Sequence, residues 1–140
     1  MDHLRLILPR CTGLCLGLLG FVVSLQACAV PLLRCQVTYA GATQTVDARP
    51  VADPYTVQST EIGGRFLFKP VMVGNAQRID YIKLYAYLDA SRQPVLIQEA
   101  KYFPPFKRSA KPYLLTGVQH LYGGPVEREL IYSCTLEGVA

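Results

Sequence analysis

From Arg34 onward, apolar and polar residues alternate in short runs, and each run stops at Gly, Pro or Asp. A two-residue period places successive side chains on opposite faces of an extended backbone, so this pattern builds half-buried β-strands. No segment of this region holds a helical period for more than about two turns. Eight strands are expected, over 34–40, 43–49, 55–62, 65–73, 78–88, 94–103, 113–122 and 128–137.

The connections fit that division. Gly63-Gly64, Gly74-Asn75, the segment DASRQP at 89–94 and Gly123-Gly124-Pro125 are turn sequences. Pro70 lies inside the fourth run and has no N–H to give a ladder, so that strand is expected at an edge or with a bulge. Eight short strands without crossover helices imply an all-β fold, an antiparallel β-sandwich of immunoglobulin-like size, with a small closed β-barrel as the alternative. The likeness to immunoglobulin domains is architectural only, because the chain has no Trp and its cysteines do not sit in the second and sixth strands.

Ahead of the alternating region, residues 11–25 (CTGLCLGLLGFVVSL) carry no charge and follow a head containing Arg5 and Arg10. This is the layout of a secretory signal peptide over 1–29, cleaved after Ala29 in the small-residue string Ala27-Cys28-Ala29, and it leaves one domain over 30–140. Two other fates are consistent with the same residues. Leu25-Gln26-Ala27-Cys28 resembles a lipobox, which would make Cys28 a lipidation site and attach the N-terminus to a membrane. An uncleaved anchor running from Cys11 to Leu33 is long enough to span a bilayer. The lipobox-like string, in a chain without an Asn-x-Ser/Thr sequon, favours a bacterial periplasm or envelope.

Cys11, Cys15 and Cys28 leave with the leader, so of five cysteines the domain keeps Cys35 and Cys134. Exported chains meet an oxidising compartment, and a disulfide between these two is expected. Cys35, Val37 and Tyr39 share one strand phase, as do Leu130, Tyr132, Cys134 and Leu136, so both cysteines point inward and the first and last strands must be close.

Composition removes several function classes. With 51% hydrophobic and 17% charged residues the chain is not disordered. The whole chain has 14 Lys+Arg against 10 Asp+Glu, and loss of Arg5, Arg10 and Asp2 leaves a net charge of +3 without a basic element. That is not the footprint of a nucleic-acid binder. His120 is the one histidine of the domain, no zinc-type spacing occurs, and no metal or other cofactor is expected. No GxSxG elbow surrounds Ser59, Ser91, Ser109 or Ser133, and Glu127 and Glu129 flank Arg128 near a turn, as residues of a solvated strand end rather than of a cleft. No catalytic constellation is present, and an enzyme is not expected.

Two surfaces stand out. In the segment DYIKLYAYLDASRQPVLIQEAKYF, pairing residue i with 182 minus i sets Lys83 against Glu99, Tyr85 against Ile97, Tyr87 against Val95 and Tyr81 against Lys101. Ile82, Leu84, Ala86 and Leu88 then face the core, and Tyr81, Lys83, Tyr85 and Tyr87 form an outer face suited to a small ligand or glycan. The second surface is the connection at 103–112, where Phe103, Phe106, Lys107, Arg108 and Lys111 stand among Pro104, Pro105 and Pro112 as a stiff cationic contact for a partner. The expected function is an exported, non-catalytic interaction module that binds a protein or an anionic envelope component. A glycan-binding or small-ligand domain using the tyrosine face is the alternative.

Overall fold

The computed structural model describes residues 29–139, which form ten strands, one 3₁₀ turn and no α-helix. The expected signal peptide and the Cys28 lipidation site lie outside the described residues, apart from Ala29. The strands are β1 (Leu32–Tyr39), β2 (Ala42–Ala48), β3 (Pro50–Val51), β4 (Thr60–Ile62), β5 (Phe66–Gly74), β6 (Ile79–Leu88), β7 (Val95–Tyr102), β8 (Tyr113–Leu114), β9 (Gln119–Gly123) and β10 (Arg128–Glu137).

They build two sheets. In the first, β2, β1 and β10 lie in order, and β8 and β9 both pair with β10 along its free side. In the second, β5, β6 and β7 lie in order, and β3 and β4 both pair with β5. Each sheet is thus three full strands with a fourth row made of two short pieces. Neither sheet closes on itself, so the fold is the sandwich rather than the barrel.

One buried cluster joins the sheets. Leu33, Cys35, Val37, Leu130, Tyr132, Cys134 and Leu136 come from the first, and Phe66, Phe68, Met72, Ile82, Leu84 and Ala86 from the second. Edge-on contact of Tyr39 with Phe66, with ring centroids 5.2 Å apart, and tilted contact of Phe68 with Tyr132 at 4.9 Å cross the interface. The Tyr132 hydroxyl donates to Gln98 Oε1 on β7 at 2.6 Å, a polar link between the two layers. Leu32 and Leu33 are buried members of β1. Leu33 belongs to the core cluster, and the part of the expected anchor up to Cys28 lies outside the described residues.

The expected strands at 55–62 and 113–122 are each broken. Asp53 caps a 3₁₀ turn at Pro54–Thr56 by accepting from the Tyr55 N–H at 2.9 Å, which leaves only Thr60–Ile62 extended. This turn consumes residues a strand would use, because Pro54 fixes φ for helical entry and Asp53 satisfies the first free N–H. In the last third, Leu115 and Thr116 both donate to the Cys134 carbonyl, and the kink divides β8 from β9. One pair is parallel, β3 against β5, so the sandwich is not wholly antiparallel.

Pro70 sits where the sheet can accept it. On its outer side β4 pairs with Phe66–Phe68 and β3 with Met72–Val73, and Pro70 falls in the gap between them. At the β4–β5 turn Gly63 and Gly64 have φ of 57° and 65°, with Arg65 N–H donating to the Ile62 carbonyl, as a tight hairpin of two left-handed residues requires.

The face assignment of β6 is as expected, with Ile82, Leu84 and Ala86 buried, although Leu88 at the strand end is half-buried. The register with β7 differs from the expected one. Tyr85 stands opposite Glu99, Lys83 opposite Lys101 and Tyr87 opposite Leu96, with a bulge between Ala86 and Tyr87. The shift is two residues for most of the pair, which preserves both faces while changing every cross-strand partner. The bulge turns Ile97 onto the core instead of placing it against Tyr85.

Candidate functional site

The outer faces of the two sheets differ in chemistry. On the first sheet the polar groups satisfy one another across strands. Arg34 Nε and Nη2 donate to the two Asp47 oxygens, each at 2.9 Å, and the hydroxyls of Thr38 and Thr43 are 2.8 Å apart. Thr45 Oγ1 donates to Gln36 at 3.1 Å. Farther along this face, Glu129 accepts from the Tyr122 hydroxyl at 2.8 Å and contacts His120 Nδ1 at 2.7 Å. These two bonds, His120 first, hold the Glu129 carboxyl below its usual range. Among the described residues no serine hydroxyl bonds His120, and no cluster of His, Cys, Asp or Glu could hold a metal ion.

On the second sheet the outer face is aromatic and cationic. Strand register sets Lys69, Tyr85 and Glu99 in one row and Val71, Lys83 and Lys101 in the next. Lys83 and Lys101 are thus directly opposed like charges, and each escapes along a diagonal. Lys83 Nζ reaches Glu99 at 2.7 Å, while Lys101 Nζ lies 4.7 Å from the Tyr81 ring centroid and 4.6 Å from that of Phe103. Hydrogen bonding to Glu99, and second to Tyr85, holds the Lys83 ammonium above its ordinary range. The rings of Tyr85 and Tyr87 stack with centroids 6.2 Å apart.

Tyr81, Lys83, Tyr85 and Tyr87, the four residues expected to form a ligand face, come together in one cleft of about 280 Å³. Pro54, Tyr55, Lys69 and Val71 complete its lining, and none of them is identifiable from the alternation of β6 alone. Tyr55 falls in the expected strand 55–62, and the Asp53-Pro54 pair, a turn-starting sequence, is the signal that marks it as part of a turn instead.

The 103–112 connection crosses from β7 to β8, between the two sheets. Its aromatic residues divide the work: Phe103 is 62% exposed, whereas Phe106 is half-buried against the core. Phe106 packs against the core cluster and so supports the loop. Ser109 and Val139 exchange two backbone hydrogen bonds, at 3.0 and 3.2 Å, and the Ser109 hydroxyl donates to the Lys111 carbonyl at 2.7 Å. Lys107, Arg108 and Lys111 are exposed, and Lys107 Nζ lies 5.7 Å from the Tyr113 ring centroid.

Beside this loop runs a groove of about 260 Å³, lined by Pro104, Pro105, Phe106 and Arg108 on one side and Gln77 and Arg78 on the other. The far wall is fixed too. Asn75 Oδ1 accepts from the backbone N–H groups of Gln77 and Arg78, both at 2.9 Å, and Asn75 N–H donates to the Arg78 carbonyl.

Cys35 and Cys134 form the expected disulfide, fully buried between β1 and β10. It is compatible with an exported location. Compared with known proteins, the chain matches no protein-family profile, no curated protein and no solved structure.

Proposed function

We propose that the chain is an exported, non-catalytic interaction module that receives an acidic segment of a partner protein at the 103–112 loop and the groove beside it. One observation carries this reading. Among the described residues Arg34, Arg78 and Lys83 have carboxylate partners, and of the cations that have none, only Lys107, Arg108 and Lys111 lie three together within five positions. Three exposed cations within five positions repel one another, and a partner carboxylate relieves that repulsion.

The support beneath the cations favours binding. The Ser109–Val139 bridge and the Phe106 contact already order the loop, so association does not have to freeze it. The groove offers apolar contact from Pro104, Pro105 and Phe106 next to the Arg108 guanidinium, a combination that takes an extended peptide bearing Asp or Glu.

The test is recovery of partners from an envelope fraction by immobilised protein, compared with the double variant Lys107→Glu/Arg108→Glu. The reading expects the wild-type protein to retain a partner that the variant loses and that raised salt releases. A variant that keeps its melting temperature and every partner overturns it.

A further inference from the structure

We propose that the cleft on the outer face of the second sheet is a separate binding site for one acidic sugar ring, a carboxylate-bearing residue of a glycan. Val71 provides the first indication. It belongs to the outward phase of β5 and is outside the core cluster, yet it is only 2% exposed. Pro54 and the largely exposed Tyr55 of the 3₁₀ turn stand on one side and the β6 side chains on the other, which makes a shallow open cleft over Val71.

Its size limits the occupant. About 280 Å³ lies just below the roughly 300–1,000 Å³ of ordinary ligand pockets, which is room for one ring-sized group. Tyr55, Tyr81, Tyr85 and Tyr87 give aromatic surface with hydroxyl tips, the pairing of flat apolar area and hydrogen-bonding groups that a sugar presents in return.

Charge then selects among sugars. Lys83 is neutralised by Glu99, but Lys69, opposite Tyr85 in the same cleft, has no ion-pair partner among the described residues. A cationic guest is disfavoured by two ammonium groups in the lining. A purely apolar guest would strip water from them without replacing it. A carboxylated ring satisfies Lys69 with a charge-assisted hydrogen bond and leaves the Lys83–Glu99 pair to meet its hydroxyls.

The experiment titrates the purified, disulfide-intact protein with a glucuronate-containing disaccharide and with its neutral glucose counterpart, following amide shifts by NMR. The acidic sugar is expected to shift Val71, Tyr81, Tyr85 and Tyr87 and to bind about tenfold or more tightly than the neutral one, the loss expected on removing one charge-assisted hydrogen bond. Lys69→Gln should abolish that preference, Lys69→Arg should keep it, and Lys107→Glu/Arg108→Glu should leave the titration unchanged. A circular dichroism spectrum like the wild type's confirms that the Lys69 variants are folded. Equal binding of both sugars, no binding of either, shifts confined to other surfaces, or equal competition by a poly-glutamate peptide or a single-stranded oligonucleotide would each overturn the proposal.

Discussion

Cys35 and Cys134 stand directly opposite each other on neighbouring antiparallel strands, 99 residues apart in sequence and 4.0 Å apart at Cα. The Cys134 N–H donates to Thr116 Oγ1 at 2.9 Å, and its carbonyl accepts from Leu115 and Thr116. Both backbone groups of Cys134 therefore point away from β1, and the cysteines occupy a non-hydrogen-bonded pair, the position at which facing side chains approach most closely. The bond fastens the first and last strands in the middle of one sheet, rather than joining the two sheets.

Replacing both cysteines, Cys35→Ala/Cys134→Ala, should lower stability by up to about 4–5 kcal/mol, the chain-entropy value for a loop of this length. Denaturant unfolding measures it. The β-sheet circular dichroism at low temperature should persist, because the strand pairing and the core around the bond do not depend on it. An unchanged unfolding midpoint would contradict the structural role assigned to the bond.

Two tyrosine hydroxyls should respond unequally to removal. The Tyr132 hydroxyl links the sheets through Gln98, so Tyr132→Phe strands the Gln98 carbonyl and should cost about 1–3 kcal/mol. The Tyr113 hydroxyl is buried near the Lys107 backbone without a well-formed hydrogen bond, so Tyr113→Phe should cost much less than Tyr132→Phe. Thermal or denaturant unfolding of the two variants side by side decides the matter, and a larger loss at Tyr113 would be inconsistent with this arrangement.

Gly74 ends β5 at a bulge with φ of 149°, and a Cβ there would collide with the backbone carbonyl oxygen of Arg78. Backbone cannot move aside as a flexible side chain does, and the same carbonyl accepts from Asn75 in the turn. Gly74→Ala should therefore destabilise the protein by more than about 1 kcal/mol. It should also loosen the Gln77–Arg78 wall of the cationic groove, seen as faster amide exchange at those two residues.

Acid should weaken the fold in part through two surface carboxylates. Hydrogen bonding from Arg34 lowers the pKa of Asp47, and hydrogen bonding from His120 and then Tyr122 lowers that of Glu129. A depressed carboxylate adds stability that is fully present above its unfolded pKa, near 4, and is lost as pH falls through its folded value. Asp47→Asn/Glu129→Gln should thus melt slightly lower than wild type at pH 7, with a shallower decline below about pH 4. Melting temperatures across pH 2–7 give the comparison, and parallel curves would remove these groups from the acid response.

The alternation of β6 and the phase of Cys35 and Cys134 were enough to read the two-faced strands, the disulfide and the sandwich. The β6–β7 register was not legible, because a slip of two residues keeps Ile82, Leu84 and Ala86 inside and costs no burial. Only the turn and the Ala86–Tyr87 bulge decide it. The division of 113–122 was hidden for a related reason. β8 and β9 serve the same partner strand, and the break arises from hydrogen bonds to Cys134, a distant residue. For the cleft, the tyrosines of β6 were visible in one strand, whereas Tyr55, Lys69 and Val71 join them only through tertiary pairing.

The loop shows the same limit. Its three cations were plain in the sequence, but their fixed support was not, since the tie runs to Val139 near the other end of the domain. Hydrogen exchange of the protein alone and with a partner recovered through the loop tests the docking account most directly. The account predicts new protection at residues 103–111 and 77–79, with the outer face of the first sheet unchanged. Protection confined to β2 or to that outer face, with none at the loop, would contradict it.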